Sequence, residues 1–197
     1  QRFFARLNRR DELQRPVRIA FLGDSFIEGD ILVADLRSAL QKRFGGRGVG
    51  FVPVASVAGQ FRPTVKVQSE GWITRSILTD RSRAFVLSGM LFDAASSTAS
   101  LGVKTTGRYP EIQAVSSLRF YYRSPREVQM QLVCNAAEDT LKEVLPSSET
   151  LAEYVRRGEL TQARFRFTDA EGLQALGVAL EDESGIVVDN FSLRGNS

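Results

Sequence analysis

A serine directly after a short apolar run is the residue whose surroundings most suggest chemistry. Ser25 lies in the segment GDSFIEGD (23–30), which follows the apolar run VRIAFLG (17–23). Such a run is typical of a strand that is buried on both faces of a parallel sheet. A serine on a tight turn between this strand and a helix presents its hydroxyl outward, and backbone N–H groups at the helix start can stabilise an oxyanion. The arrangement therefore suggests nucleophilic attack on an acyl carbonyl.

The general base for that attack is missing from the chain, because the sequence contains no histidine. Histidine is the usual base for a serine nucleophile near neutral pH, so a Ser-His-Asp triad cannot form within this chain. A serine–lysine dyad is the chemical alternative. However, no lysine stands in S-x-x-K spacing with Ser25. Either the chain does no such chemistry, or another stretch of protein supplies the base.

Composition places the chain among ordinary globular proteins. It has 197 residues, of which 43% are hydrophobic and 25% charged, with a formal net charge of +3. This charge does not indicate nucleic-acid binding, and no apolar run approaches the ~20 residues that span a bilayer. The single cysteine, Cys134, excludes an internal disulfide and a multi-cysteine metal site. No cofactor or metal is predicted, and the start at Gln1 suggests a processed or trimmed chain.

A helix is predicted over 31–44, directly after the serine turn. One apolar residue in every four forms its expected buried stripe: Leu32, Leu36, Leu40 and Phe44. Asp30 is the expected N-cap, and Gly45 is placed to end the helix. Residues 1–15 are predicted as an amphipathic helix or arm.

The acidic residues around Ser25 have two interpretations. Asp24, Glu28 and Asp30 could be metal ligands, but capping and turn roles are favoured, with Asp24 supporting the serine turn. The glycines between positions 45 and 50 follow a helix instead of preceding one, so a connector is favoured over a phosphate-binding loop.

After Gly50 the pattern becomes one of short strands separated by turn residues, as in a β-sandwich or jelly roll. Strands are predicted at 84–90, 98–104, 117–123, 127–133, 162–168, 173–181 and 185–191. A short helix or crossing loop is predicted over 151–160. Aromatic residues of this region could stack on a sugar, although core packing is favoured, with Tyr121 facing away from its neighbours. These aromatic residues are Trp72, Phe120, Tyr121 and Tyr122.

The stretch RIAFLGDSFIEGDIL, with the continuation LRSALQKRFGGRGVGFVPV, resembles the first conserved block of the SGNH (GDSL-like) hydrolases, in a bacterial subgroup with a β-sandwich insertion. The resemblance covers roughly 17–54 and implies that Ser25 is the nucleophile and that its N–H contributes to the oxyanion hole. It also implies an oxyanion-hole glycine, an Asn block and an Asp-x-x-His block, none of which is matched here. Gly195 matches only the first glycine of the second block. We therefore expect a truncated chain.

The resemblance implies an α/β fold, with a flavodoxin-like SGNH start on a parallel sheet, that carries an inserted all-β sandwich or jelly-roll module. The expected organisation is a first βα unit (1–50), the β module (51–184) and a return strand (185–197).

Two functions remain open at this point. The first is a serine ester hydrolase acting on an acylated small molecule or O-acetylated glycan, in the periplasm or secreted. Its base would come from the missing C-terminal part of the same protein or, less simply, from a second polypeptide. This chain alone would then be inactive. The alternative is a non-catalytic polysaccharide-binding or assembly module that retains the fold.

Overall fold

The computed structural model describes residues 2–13, 15–55, 61–136 and 139–195. Its three α-helices are α1 (Arg2–Asn8), α2 (Ser25–Glu28) and α3 (Ile31–Phe44). Short 3-10 turns lie at Arg10–Glu12 and Pro110–Ile112. Within these ranges, no helix is both long and apolar enough to cross a membrane.

The described ranges also contain thirteen strands, and most of the chain between Gly50 and Asn190 alternates strand and turn. The strands are β1 (Val17–Phe21), β2 (Gly50–Val52), β3 (Val65–Glu70), β4 (Trp72–Ser76), β5 (Met90–Ala94), β6 (Thr98–Thr105), β7 (Val115–Ser124), β8 (Val128–Cys134), β9 (Leu141–Leu145), β10 (Ser148–Leu160), β11 (Gln162–Thr168), β12 (Gln174–Glu181) and β13 (Ile186–Asn190).

The first and last strands form a parallel pair, in which Val17 is the partner of Ile186 and Phe21 is the partner of Asn190. Side chains alternate between the two faces of a strand. One face of this pair packs with Leu7 of α1 and with the end of α3, near Phe44. Because the two strands are parallel, their carboxyl ends lie at the same edge of the pair, where the chain leaves β1 towards Ser25.

The other strands form two antiparallel sheets. The six-stranded sheet has the order β10-β7-β12-β5-β4, and β2 also pairs with β12. The five-stranded sheet has the order β3-β6-β11-β8-β9. Aromatic rings from both sheets meet between them: Phe120 of β7 lies 5.5 Å from Phe165 and 5.1 Å from Phe167 of β11, measured between ring centroids. The two sheets therefore pack face to face around one apolar core.

The predicted α/β fold built on a parallel sheet is wrong. Only β1 and β13 are parallel, and every other pairing among the described strands is antiparallel. Parallel sheets need helices on both faces, and α3 is the only described helix longer than two turns. The chain is instead mainly β, because short alternating segments joined by tight turns pair with antiparallel neighbours.

Individual elements were predicted with mixed success. The predicted α3 and the predicted strands at β1, β6, β7, β8, β11, β12 and β13 are confirmed within one or two residues at most ends. Residues 151–160 are not a helix or crossing loop but belong to β10. The strand predicted over 84–90 is also wrong, because this segment forms turns and β5 begins only at Met90.

Candidate active site

Ser25 is the first residue of α2 and lies four residues beyond the end of β1, at the carboxyl edge of the parallel pair. Its side chain is exposed. Neither its hydroxyl nor its N–H group makes a hydrogen bond to any described residue. A nucleophilic role requires a hydroxyl that faces outward and is free to meet a substrate and a base. The structure is compatible with that role, which nevertheless stays a prediction.

The residues just before Ser25 set the direction of the turn. Asp24 is the N-cap of α2, and its side chain accepts a hydrogen bond of 3.0 Å from the N–H of Phe26. Gly23 lies so close to the next turn that a Cβ there would sit 2.8 Å from Cγ1 of Ile27. Any larger residue at this position would push α2 away, so the tight turn before α2 requires glycine.

Residues at and just after the end of β13 anchor the serine turn. Asn190, the last residue of β13, donates a hydrogen bond of 2.9 Å to the carbonyl of Ile27. The N–H of Leu193 donates to the carbonyl of Gly23 at 3.0 Å. Arg194 forms an ion pair with Glu28 at 2.9 Å. These three contacts fix the turn at Gly23, Ile27 and Glu28.

A buried ion pair anchors the far side of the same turn. Asp30 has a left-handed backbone (φ 65°) and accepts two hydrogen bonds of 3.0 Å from Arg37, and both residues are 1% exposed. The hydroxyl of Thr64 donates to Asp30 at 2.7 Å, and Asn190 donates at 3.2 Å. Arg37 also donates to the carbonyl of Val188 at 2.8 Å. The turn is therefore tied to β13 and to the loop before β3.

Charge stabilises this arrangement in spite of burial. Burial alone would raise the pKa of Asp30, but the positive charges of Arg37 and Arg62 and the hydrogen bonds to the carboxylate hold that pKa below its ordinary value. Burial lowers the pKa of the Arg62 guanidinium, although Asp30 opposes the effect. Arg62 donates a hydrogen bond of 3.2 Å to the carbonyl of Glu28. An ionised Asp30 is thus built into the support of the serine turn.

Two of the predicted roles around the turn need correction. Asp30 does occupy the N-cap position of α3, but its side chain makes no capping hydrogen bond and binds Arg37 instead. Only half of the predicted apolar stripe faces a core: Leu32 and Leu36 are exposed, whereas Leu40 and Phe44 pack against the cluster around Leu7. The buried face of α3 is mostly small or polar: Val33, Ala34, Arg37, Ser38 and Gln41.

Sequence reasoning missed Arg37, Asn190 and Arg194 as supports of the turn. A second stripe at helical spacing, which includes Ala34, Arg37 and Gln41, was present on α3, but a search for apolar periodicity passes over polar members. No local signal marks Asn190 or Arg194, because their partners lie more than 160 positions away.

Most of the aromatic residues considered for sugar stacking lie in the core, which is the alternative that the sequence favoured. Phe120 and Tyr122 are fully buried. Trp72 is half-buried, packs edge-on against Phe167 and donates from Nε1 to the carbonyl of Ser100 at 2.8 Å. Tyr121 points to the opposite face of its sheet, where burial raises its pKa to about 12.

The fold is similar to that of a solved peptidoglycan O-acetylesterase, with a TM-score of 0.70 and 18% sequence identity. The alignment covers 99% of this chain and 52% of that one, so the chain spans about half the length of the esterase. Two structures of family 29 carbohydrate-binding modules align over 68% and 70% of the chain with 11% identity. Their TM-scores, 0.39 and 0.41, are too low to establish a common fold. No protein-family model and no curated protein matches the sequence.

Proposed function

We propose that this chain carries the nucleophile of an SGNH-type serine ester hydrolase, and that Ser25 is that nucleophile. The observation that carries the proposal is the exposed hydroxyl of Ser25, at the carboxyl end of a parallel strand and without a hydrogen bond to any described residue. Its support comes from the firmly anchored turn around it and from the fold shared with a peptidoglycan O-acetylesterase. The proposed substrate is an acylated small molecule or an O-acetylated glycan.

In the proposed reaction, Oγ of Ser25 attacks the ester carbonyl carbon and gives its proton to a general base. The carbonyl oxygen becomes an oxyanion, and the N–H of Ser25 is one donor that stabilises it. Collapse of the tetrahedral intermediate breaks the bond to the alcohol oxygen, which takes the proton from the base and departs. Water then hydrolyses the acyl-serine in the same way and restores the hydroxyl.

The base must come from polypeptide outside this sequence, since the chain contains no histidine. We propose the C-terminal continuation of the same protein as its source. Apolar side chains close to Ser25 in sequence support a docked segment: Leu22 and Ile31 are exposed, and Phe26 is 91% exposed. Monomeric proteins seldom leave a cluster of large apolar side chains in water.

We also propose a division of the chain into two units and a location outside the cytoplasm. Residues 1–50 and 185–197 would belong to the hydrolase unit, and 51–184 would form a separate β module. The pairing of β1 with β13 supports the first grouping. A periplasmic or secreted location fits an enzyme that acts on cell-wall or extracellular glycan.

Hydrolysis of p-nitrophenyl acetate tests the proposal in two forms of the protein, this chain and a longer one that includes the base. We expect poor or no turnover by this chain alone. In the longer protein, Ser25→Ala should lower kcat/KM by about a thousandfold or more, while leaving stability within about 0.5 kcal/mol because the side chain is exposed. Ser147→Ala, at another exposed serine, is the matched control and should change neither quantity.

Robust turnover by this chain alone, abolished by Ser25→Ala, would refute the external base. Full activity of the longer Ser25→Ala variant would refute the nucleophile. The alternative function, a non-catalytic polysaccharide-binding or assembly module, predicts no esterase activity in the longer protein and glycan binding that Ser25→Ala leaves unchanged.

A further inference from the structure

The outer face of the five-stranded sheet contains a trough along β6. In the cross-strand register, Gly102 lies between Gln68 of β3 and Arg164 of β11. One step along, Ser100 lies between Glu70 and Arg166. Because adjacent strands are about 4.8 Å apart, the backbones that form the two walls are separated by roughly 10 Å. The floor consists of a glycine and a serine, and the walls carry long polar side chains.

The trough is continuous with two depressions of about 620 and 290 Å³. Both are lined by Glu70, Ser100 and Arg164, so they meet over β6. The stretch of β6 from Thr98 to Gly102 is about 13 Å long at 3.3 Å per residue. This length and volume suit a short oligomer and not a single small ion.

Gly102 has no evident structural reason to be glycine. Its φ is not in the left-handed region, and the register of β6 with both neighbours continues through it without a bulge. A Cβ there would meet only atoms at 3.7 Å or beyond, which is ordinary contact. Glycine inside a strand weakens the strand, and it often marks a place where a ligand approaches the backbone closely.

The charged groups of the walls are unused by the fold. Arg164 and Arg166 are exposed, and their guanidinium groups make no ion pair or hydrogen bond to any residue within the described ranges. Glu70, across the trough from Arg166, is likewise without an ion pair there. Guanidinium groups recognise carboxylates with paired hydrogen bonds, whereas Glu70 accepts from hydroxyl groups. Gln68 and Ser100 can both donate and accept.

We propose that this trough binds a short carboxylated oligosaccharide, with its carboxylates on Arg164 and Arg166 and its hydroxyls on Gln68, Glu70 and Ser100. A sugar acid offers a carboxylate and several hydroxyls on one rigid ring, which matches this mixture of groups. A peptide strand fits less well, because the trough lies on a sheet face, where the backbone groups of β6 are already paired with β3 and β11. This binding does not depend on hydrolysis at Ser25.

Calorimetric titration of the chain with trigalacturonate tests the proposal, with galactotriose as the neutral ligand and triglutamate as the acidic peptide. We expect trigalacturonate to bind the wild-type chain and Ser25→Ala equally, and more weakly as salt is raised. The double variant Arg164→Gln/Arg166→Gln should bind at least about tenfold more weakly. Arg81→Gln, at an exposed arginine outside the trough, should bind like the wild type.

Substitutions of Gly102, on the floor of the trough, distinguish a glycine needed for ligand binding from a glycine needed for the fold. Gly102→Val should keep or raise the Tm and reduce trigalacturonate binding by about tenfold or more, whereas Gly102→Ala should keep the fold and lose less affinity. No trigalacturonate binding by the wild type, or unchanged binding by the folded Gly102→Val protein, would overturn the proposal. Equal binding of triglutamate or galactotriose would overturn the assigned ligand class. None of these outcomes depends on the esterase assay, so either proposal can fail alone.

Discussion

Removing the charge of Asp30 should destabilise the protein far more than removing an ordinary surface carboxylate. Asp30→Asn leaves Arg37 in place, buried to 1% exposure, with no anion to neutralise it. Arg62, also buried, loses the same compensating charge. Breaking a buried pair by removing one partner costs about 3–5 kcal/mol. Domains are commonly stable by about 5–15 kcal/mol, so this variant should lose about a fifth of its stability or more.

The pair can be separated from the rest of its network by a double-mutant cycle. Arg37→Met keeps an unbranched apolar stem and removes the charged group, and the double variant Asp30→Asn/Arg37→Met leaves neither member of the pair uncompensated. We expect the double variant to lose about 2 kcal/mol less than the sum of the two single losses. Urea denaturation followed by circular dichroism measures all four free energies of unfolding.

A surface pair supplies the control for this cycle. Arg9 and Glu12 form an ion pair of 2.8 Å, with side chains 71% and 62% exposed. Glu12→Gln should change stability by no more than about 0.5 kcal/mol. If the losses at Asp30 and Arg37 add to within 0.5 kcal/mol, or if Asp30→Asn costs no more than Glu12→Gln, the reasoning about the buried pair is refuted.

The same carboxylate predicts a dependence of stability on pH. The pKa of Asp30 is lower in the folded protein than in the unfolded chain, where it is near 3.9. Its contribution is therefore complete above that unfolded value and is lost as the pH falls through the folded one. Asp30→Asn should flatten this part of the acid limb of a stability–pH curve. An unchanged acid limb would contradict the assignment.

Four further substitutions test the packing around the turn and in the core. Gly23→Ala should cost about 1–3 kcal/mol, because its Cβ would press on Ile27, whereas Gly29→Ala has open space and should cost less than about 0.5 kcal/mol. Phe167→Ala, at a fully buried ring, should cost about 3–5 kcal/mol, and thermal melts should separate it clearly from Phe26→Ala. A Tm for Gly23→Ala equal to that of Gly29→Ala, or a large loss in Phe26→Ala, would contradict the described contacts.

The sequence predicted local features better than pairings. The turn at Ser25 and the bounds of α3 follow from short-range rules for caps and helix ends, which act within a few residues. The buried face predicted for the first half of α3 was wrong, because Leu32 and Leu36 were assumed to be buried and are exposed. Arg37 is buried instead, since its partners Asp30 and Val188 satisfy its hydrogen bonds. Such compensation depends on residues that meet only in the folded chain.

Prediction of the strands was limited in the same way, because some strands are determined by long-range pairing and not by their local sequence. β11 alternates cleanly, with Phe165 and Phe167 inward, and its bounds were predicted correctly. All residues of β10 except Leu160 are exposed or half-buried, and its long pairing with β7 determines its conformation. β-strand preference depends strongly on such neighbours. The polar strands β3 and β4 were not predicted for the same reason.

The pairing of β1 with β13 has a consequence for how the protein is made. Val17 and its partner Ile186 are separated by about 170 residues, so a ribosome adding 5–20 residues per second completes β13 roughly 10 to 30 s after β1. During that interval the antiparallel hairpins can form, but β1 has no partner and its apolar side chains stay open to chaperones or to other nascent chains. The serine turn can therefore take its anchored shape only after β13 has been synthesised.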